Sequence, residues 1–216
     1  MFGLAFGRAP RKRWLLLCVG VLLVATMTLA GAASAQSVER PGCSAVNYTG
    51  AGTADDPYEL SDISELACID NTTTEATLND SYVLGADINA TDTGSWYEGR
   101  GFDPLGRCVS PNASNCTPAL FTGTLDGNGH SITGLSIDRP EENQTGLFSV
   151  IGLNGTVQEL RLDAVDITGG EFNSVGGLVG SNGGTVSRTA VTGEVSGENF
   201  NVGGLVGSNV GTVRRS

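Results

Sequence analysis

Near its end the chain says the same thing twice. Val175-Gly176-Gly177-Leu178-Val179-Gly180-Ser181-Asn182 returns 27 residues later as Val202-Gly203-Gly204-Leu205-Val206-Gly207-Ser208-Asn209. Each copy leads into Gly-Thr-Val, at 184–186 and 211–213. A worn copy precedes them, with Gly146-Leu147-Phe148 followed by Gly155-Thr156-Val157. A fixed period of this length marks a stacked-repeat fold, in which each unit buries its apolar face only against its neighbours. The residues that define the repeat are Gly177, Leu178, Val179, Gly184 and Val186, and then Gly204, Leu205, Val206, Gly211 and Val213.

Helical periodicity is absent from this region, and no stretch runs far without Gly or Asn. Leu160-Arg161-Leu162 and Val165-Asp166-Ile167 alternate apolar and polar around a bend at Asp163-Ala164, as does Val191-Thr192-Gly193-Glu194-Val195. Alternation over a few residues is a strand signal. Leu120 to Asp126, the turn Gly127-Asn128-Gly129-His130 and Ser131 to Ile137 predict strand, tight glycine turn, strand. Short strands, β-branched inward positions and glycine corners at positive φ predict one coil of a parallel β-helix per repeat. About three coils are the minimum for stability, and the chain offers about four with the worn ones. The predicted fold is therefore all-β, a right-handed parallel β-helix (solenoid) over residues 116–216. A non-repeating cap with a short helix, stapled by disulfides, precedes it at 36–115.

In that cap, Tyr58-Glu59-Leu60 reads as a short strand. Ser61 is the expected N-cap of a helix over Asp62 to Leu66, with Ser64 or Glu65 reaching back. Ser81 to Ile88 alternates like a strand, and the rest, through Trp96 and Phe102, reads as loop.

Residues 1–35 carry a basic start (Arg8, Arg11, Lys12, Arg13), an apolar run from Trp14 to Leu29, and Ala33-Ser34-Ala35 before Gln36. That order is a secretory signal peptide. The chain continues with 23 acidic residues against eight arginines (40, 100, 107, 139, 161, 188, 214, 215) and no lysine, a net charge of −15. Such a surface repels nucleic acid and anionic membranes and needs salt to screen its self-repulsion. The pattern resembles secreted proteins of extreme halophiles.

Four cysteines remain after the signal: Cys43, Cys68, Cys108 and Cys116. An even count in an exported chain favours two disulfides over a metal site. Four cysteines allow three pairings. Cys108 and Cys116 enclose a short loop with Pro111, which would leave Cys43 with Cys68. Glycosylation sequons begin at Asn47, Asn71, Asn79, Asn89, Asn112, Asn115, Asn143 and Asn154, all before the two clean repeats.

The repeat Val-Gly-Gly-Leu-Val-Gly-Ser-Asn…Gly-Thr-Val resembles the GLUG repeat of bacterial and archaeal surface proteins. These include adhesins and the non-catalytic regions of some immunoglobulin A proteases. The match covers roughly residues 145–216, with Phe148 and Ser149 departing from the pattern. Phe121 to His130 is similar to the coil that often precedes such repeats, and Gly52 to Tyr58 to their N-terminal start. The resemblance implies a right-handed β-helix on a secreted or cell-surface protein, used for contact or as a spacer, with no shared catalytic residues. The metal motif His-Glu-x-x-His of the proteases is missing.

No residue of the chain is assigned to catalysis, a cofactor or a metal. His130 is the sole histidine and sits in a glycine turn without a nucleophile motif. Asp126 to Ile137 starts like an EF-hand loop but ends on Ile137, where a bidentate Glu is required. Asp163, Asp166 and Glu194 are expected outward and unclustered, and Trp96 and Tyr97 offer rings for a sugar but more simply pack on the cap. The expected function is a non-enzymatic surface module for adhesion, spacing or the envelope. The alternative is a secreted carbohydrate-active β-helix or its appendage. The expected partner is a cell-surface protein or glycan. Val213-Arg214-Arg215-Ser216 falls part way through a coil, so further coils, a partner at that edge or an anchor beyond residue 216 are also expected. From the charge we predict that the secreted chain melts at a markedly lower temperature in dilute than in molar salt. An unchanged melting temperature removes the halophilic reading.

Overall fold

A computed structural model describes residues 42–69, 74–107, 119–170, 174–198 and 201–216. Residues 36–216 form one compact unit. The fold is mostly β-strand, and every strand-to-strand pairing among the described residues is parallel.

Parallel pairing joins equivalent residues of successive repeats. Six strands follow one another in chain order across the largest sheet: Tyr58–Leu60, Ser81–Leu84, Thr124–Asp126, Thr156–Gln158, Thr185–Ser187 and Thr212–Arg214. Tyr58, Tyr82, Leu125, Val157, Val186 and Val213 stand in register as one inward column. A second sheet stacks Ile88, Ile132, Leu162 and Val191, and beside them Ile137, Ile167 and Val195. Two three-stranded sheets align Thr145, Val175 and Val202, and Phe148, Val179 and Val206. Leu125, Val157, Val186, Leu162, Val175 and Val179 are fully buried. Burying one such side chain contributes roughly 1.5–3 kcal/mol, so a few per repeat offset the ordering entropy.

The strand–turn–strand unit expected at 120–137 has to be redrawn. Thr124–Asp126 and Ser131–Thr133 lie in different sheets and do not pair with each other. The glycine turn between them is a corner. Corner glycines at positive φ were also expected, and Gly129, Gly134 and Gly193 have it (φ 81°, 77° and 126°). Glu159, Arg188 and Arg215, which follow equivalent strands, take it without being glycine (φ 52°, 52° and 55°), whereas the glycines of Gly-Thr-Val do not take it. The repeat glycines answer a different demand. A Cβ on Gly184 would lie 2.2 Å from the Gly155 carbonyl oxygen, and one on Gly211 2.2 Å from that of Gly184. One on Gly155 would lie 2.4 Å from the Phe121 oxygen. Backbone presses on backbone from one repeat to the next, and only hydrogen fits between.

The period is not constant. Val186 pairs with Val213 at 27 residues, but Val157 with Val186 at 29 and Phe148 with Val179 at 31. The corners absorb the difference. The corner Gly152 to Gly155 is two residues longer than its counterpart Gly183-Gly184, and the extra length exposes Leu153 at 87%. The bend foreseen at Asp163-Ala164 is an irregularity inside one strand, Arg161–Gly169, with Ala164 at φ 53°. It takes up one further residue.

The largest sheet extends from the repeats back to Ser81–Leu84 and Tyr58–Leu60, so the described part of the non-repeating segment shares the ladder of the repeats. Its helix is Ile63–Ala67, capped by Asp62 and not by Ser61. The Asp62 carboxylate accepts from Ser64 N (2.7 Å) and Glu65 N (2.9 Å), and Glu65 Oε2 accepts from Ser61 N at 2.6 Å. The expected strand over Ser81 to Ile88 is broken into Ser81–Leu84 and Ile88–Asn89, on two sheets. Thr91–Gly99, expected as loop, holds 3-10 turns. Cys43 and Cys68 are disulfide-bonded with S–S 2.04 Å, tying the Cys43–Ala45 turn to the helix C-cap. Cys108 and Cys116 lie outside the described residues.

Gly184→Ala is predicted to destabilise the fold by about 1–3 kcal/mol through backbone displacement, read as a lower denaturation midpoint. Gly204→Ala, where a Cβ meets nothing within 4 Å, serves as the neutral comparison.

Candidate functional surfaces

The inward columns are mostly apolar, with the Thr145 and Ser149 hydroxyls buried without a hydrogen-bond partner, so candidate groups are found at corners, outer faces and the segment before the repeats. Five of the eight sequon asparagines are described, and all are exposed: Asn47, Asn79, Asn89, Asn143 and Asn154. Asn154 occupies the protruding corner beside Leu153. Asn79 and Asn89 already accept hydrogen bonds, Asn79 from the Thr122 hydroxyl and Asn89 from Thr91 N at 3.0 Å. Asn71, Asn112 and Asn115 lie outside the described residues.

The Asn at the end of each clean repeat has a structural task. Asn182 is fully buried, in register with Ile151 on one side and Asn209 on the other. Its Oδ1 accepts from Gly184 N at 3.1 Å, and its Nδ2 donates to Asn209 Oδ1 at 2.7 Å. The side chain thus holds its own corner and passes a hydrogen bond to the next repeat, which meets the demand that a buried amide be bonded.

His130 lies in the corner after Thr124–Asp126, with its N–H donating to Gly127 O at 2.7 Å. Its ring faces Asp87, Nδ1 to Oδ1 at 3.4 Å. Asp87 in turn accepts from Ser131 N at 2.8 Å, and this bond, with that of the Ser131 hydroxyl, holds its carboxyl below the usual carboxylate range. Asp126 is engaged as well. It accepts from Asn128 N at 2.8 Å and from Gln158 Nε2 at 2.7 Å. The carboxyl that would start an EF-hand therefore serves the corner and the neighbouring repeat. Among the described residues no group of three or more His, Cys, Asp and Glu side chains is placed to hold a metal.

The outward acids do not frame a cleft. Asp163 is paired with Arg161 at 2.9 Å and accepts from Thr192 at 3.2 Å. Asp166 and Glu194 are exposed register partners on adjacent strands. Like charges placed opposite each other repel and are eased by salt. Trp96 is 1% exposed and stacks on Phe102 at 6.2 Å, so it offers no face to a sugar. Tyr97 lies under the Arg139 guanidinium at 5.3 Å.

Arg139 is the polar centre that residue patterns did not reveal. Its side chain is 2% exposed. It pairs with Asp103, with Glu142 Oε1 at 3.3 Å, and donates to Gly101 O at 3.2 Å. Arg107 joins both acids, at 3.1 Å to Asp103 and 3.3 Å to Glu142. Burial pulls the Arg139 guanidinium below its ordinary value, against the opposing pull of Asp103 and Glu142. Three arginines, Arg100, Arg107 and Arg139, share two acids, Asp103 and Glu142, around the buried Arg139, and the cluster binds the 96–107 segment to Ser136–Arg139. It is a clamp. Two of its ends, Arg100 and Arg107, come from sequence far from Arg139, so no local motif announces it.

Among the described residues no helix is long and apolar enough to cross a membrane. No protein-family model matches the chain. Over 154 residues it is 44% identical to Halomucin of Haloquadratum walsbyi, a match that covers 70% of this chain and 2% of that protein. Over 152 residues it is 36% identical to a "Putative Gly-rich membrane protein" of Evansella cellulosilytica, covering 68% of this chain and 16% of that protein. The chain therefore spans a small fraction of the length of the curated relatives it matches. Among solved structures it is similar to a "putative immunoglobulin A1 protease" from Bacteroides ovatus, with TM-score 0.41 and 14% identity over 76% of this chain and 66% of that one.

Arg139→Ala is predicted to cost about 3–5 kcal/mol, since it leaves buried acids short of a partner. Arg188→Ala removes an exposed pair to Glu159 (2.6 Å) and is predicted to cost at most about 1 kcal/mol. Denaturant titrations in molar salt check the contrast.

Proposed function

We propose that the chain is a secreted or cell-surface module without enzymatic activity, built as a right-handed parallel β-helix of GLUG-type repeats. Residues 36–115 act as its cap and 116–216 as its coils. It serves in adhesion, as a spacer or as an envelope component of a salt-adapted cell. The observation that carries this reading is the register. Equivalent residues of successive repeats stack column by column, and the polar groups that could do chemistry are committed to corners, rungs and the Arg139 clamp. A fold of this kind supplies length and surface. The name of the relative from Haloquadratum walsbyi, a halomucin, supports an extracellular role, as does the lysine-free charge of −15 over residues 36–216. The printed description of the Evansella relative as a membrane protein supports a place at the cell envelope.

On this reading the exposed asparagines carry glycans on the early half and leave the outer faces of the clean repeats bare. The partner is a surface protein or a glycan, and nucleic acid is not one. The strands Ala190–Gly197, Asn201–Gly203, Val206–Asn209 and Thr212–Arg214 are those on which further repeats or a partner would stack, with attachment supplied by an anchor beyond residue 216. The signal peptide, residues 1–35, directs export.

The test pairs two assays on the same material. Cells that lack the protein should lose cell–cell or surface attachment, and the purified secreted chain should release no reducing ends from neutral or acidic polysaccharides. Sugar release that disappears in Asp166→Asn or Glu194→Gln overturns the reading in favour of a carbohydrate-active β-helix.

A further inference from the structure

One cavity lies away from the repeats, between the disulfide-tied turn and the first strand. Its volume is about 270 Å³, and it is lined by Ser44, Asn47, Tyr48, Tyr58, Thr74 and Glu75 among others. That is near the lower end of the range for small-molecule sites. Its walls are held before any ligand arrives. The Cys43–Cys68 disulfide fixes the turn that carries Ser44. The Tyr48 hydroxyl donates to Glu65 O at 2.8 Å, and the Thr74 hydroxyl to Cys68 O at 3.0 Å. Preformed walls lower the entropy cost of binding.

Two kinds of surface meet there. Tyr48 is half-buried and offers the accessible ring of the aromatic wall, backed at 5.2 Å and 43° by Tyr58, which is itself 8% exposed and packed on Tyr82. Around it are the exposed Ser44, Asn47 and Glu75, which offer a hydroxyl, an amide and a carboxylate. An apolar wall with a few placed hydrogen-bonding groups suits a ligand that has an apolar face and a rim of hydroxyls. The charge excludes anionic ligands. Burial, then Asp80 and Glu75, push the Tyr58 hydroxyl up, which marks negative surroundings. An anion would meet these acids and a segment, residues 36–216, at −15.

We propose that this cavity binds one neutral pyranose ring, stacked on the tyrosine wall with its hydroxyls bonded to Glu75, Asn47 and Ser44. A carboxylate that accepts from sugar hydroxyls makes charge-assisted bonds, stronger than neutral ones. The inference names the ligand chemistry for the surface role proposed above and uses a different region from the repeats. A module that attaches cells through an empty cavity, and a sugar-binding chain that attaches nothing, give distinct results in the two sets of assays.

The experiment titrates the secreted chain in molar salt with methyl glucoside, methyl galactoside, methyl mannoside, N-acetylglucosamine and glucuronate, following tyrosine fluorescence and ring chemical shifts. At least one neutral probe should bind saturably with Kd about 1 mM, with glucuronate at least tenfold weaker. Ser44→Trp fills the cavity from an exposed position and should abolish binding with the melting temperature unchanged. Glu75→Ala should weaken it about tenfold, an effect of roughly 1.4 kcal/mol. Asn47 opens the sequon Asn47-Tyr48-Thr49, so a glycan there would compete for the same volume. Thr49→Ala, which removes that acceptor signal, should bind at least as tightly as the parent. No saturation by any neutral probe in Thr49→Ala, glucuronate equal to the neutral sugars, or full binding by a folded Ser44→Trp each overturns the proposal.

Discussion

Everything in this structure depends on backbone hydrogen bonds that run from each repeat to the same residues of the next. Parallel strands in register place like on like, about 4.8 Å apart. Whatever suits one repeat must therefore suit its neighbour at the same column. Val186 lies between Val157 and Val213, and Asn182 between Ile151 and Asn209. The glycines of Gly-Thr-Val follow from the same constraint. At Gly155, Gly184 and Gly211 the carbonyl of another repeat already fills the space a Cβ would need.

Before the repeats, identity gives way to individual solutions. A chain of rings runs through the core from Tyr48 to Tyr58, Tyr82, Phe121 and Phe148, with centroids 4.6–6.5 Å apart. Large side chains fill a wide interior there, and from Phe148 the same column continues as Val179 and Val206. The Arg139 clamp ties Asp103 and Arg107 of this part to Arg139 and Glu142. A salt bridge that is enclosed adds less stability than it costs to break, so its value lies in fixing which loop meets which strand. The cavity beside Tyr48 also lies in this part, where side chains are free to differ from their neighbours.

How much of this was legible in the residues divides along the same line. The repeat Val-Gly-Gly-Leu-Val-Gly-Ser-Asn announced the parallel β architecture because a duplicated sequence has to be met by duplicated structure. Inward Val and Leu positions followed from alternation. What eluded the sequence was the reason for its glycines, which period alone assigns to turns when the true demand is close approach of two backbones. The corner at Gly127 to His130 was open to misreading for a related cause. Two short strands around a glycine turn have the same local pattern whether they pair with each other or with strands some 30 residues away. The helix cap slipped by one residue, from Ser61 to Asp62, since both can cap and only the placement of Glu65 decides. Arg139 was not singled out, because Glu142 three residues on is an ordinary surface spacing and its other acid, Asp103, is brought to it by the fold.

The corner at Gly152 to Gly155 carries a wider consequence. It is two residues longer than its counterpart, yet the strands on both sides keep their partners. Length changes at corners are thus invisible to the ladder, whereas a residue added within a strand keeps its inward side chains inward only where a bulge takes it up, as at Asp163-Ala164. Such a protein can grow and vary by copying whole units and by lengthening its corners. The ladder thus leaves the outline of the corners free to change while the scaffold that bears them stays the same.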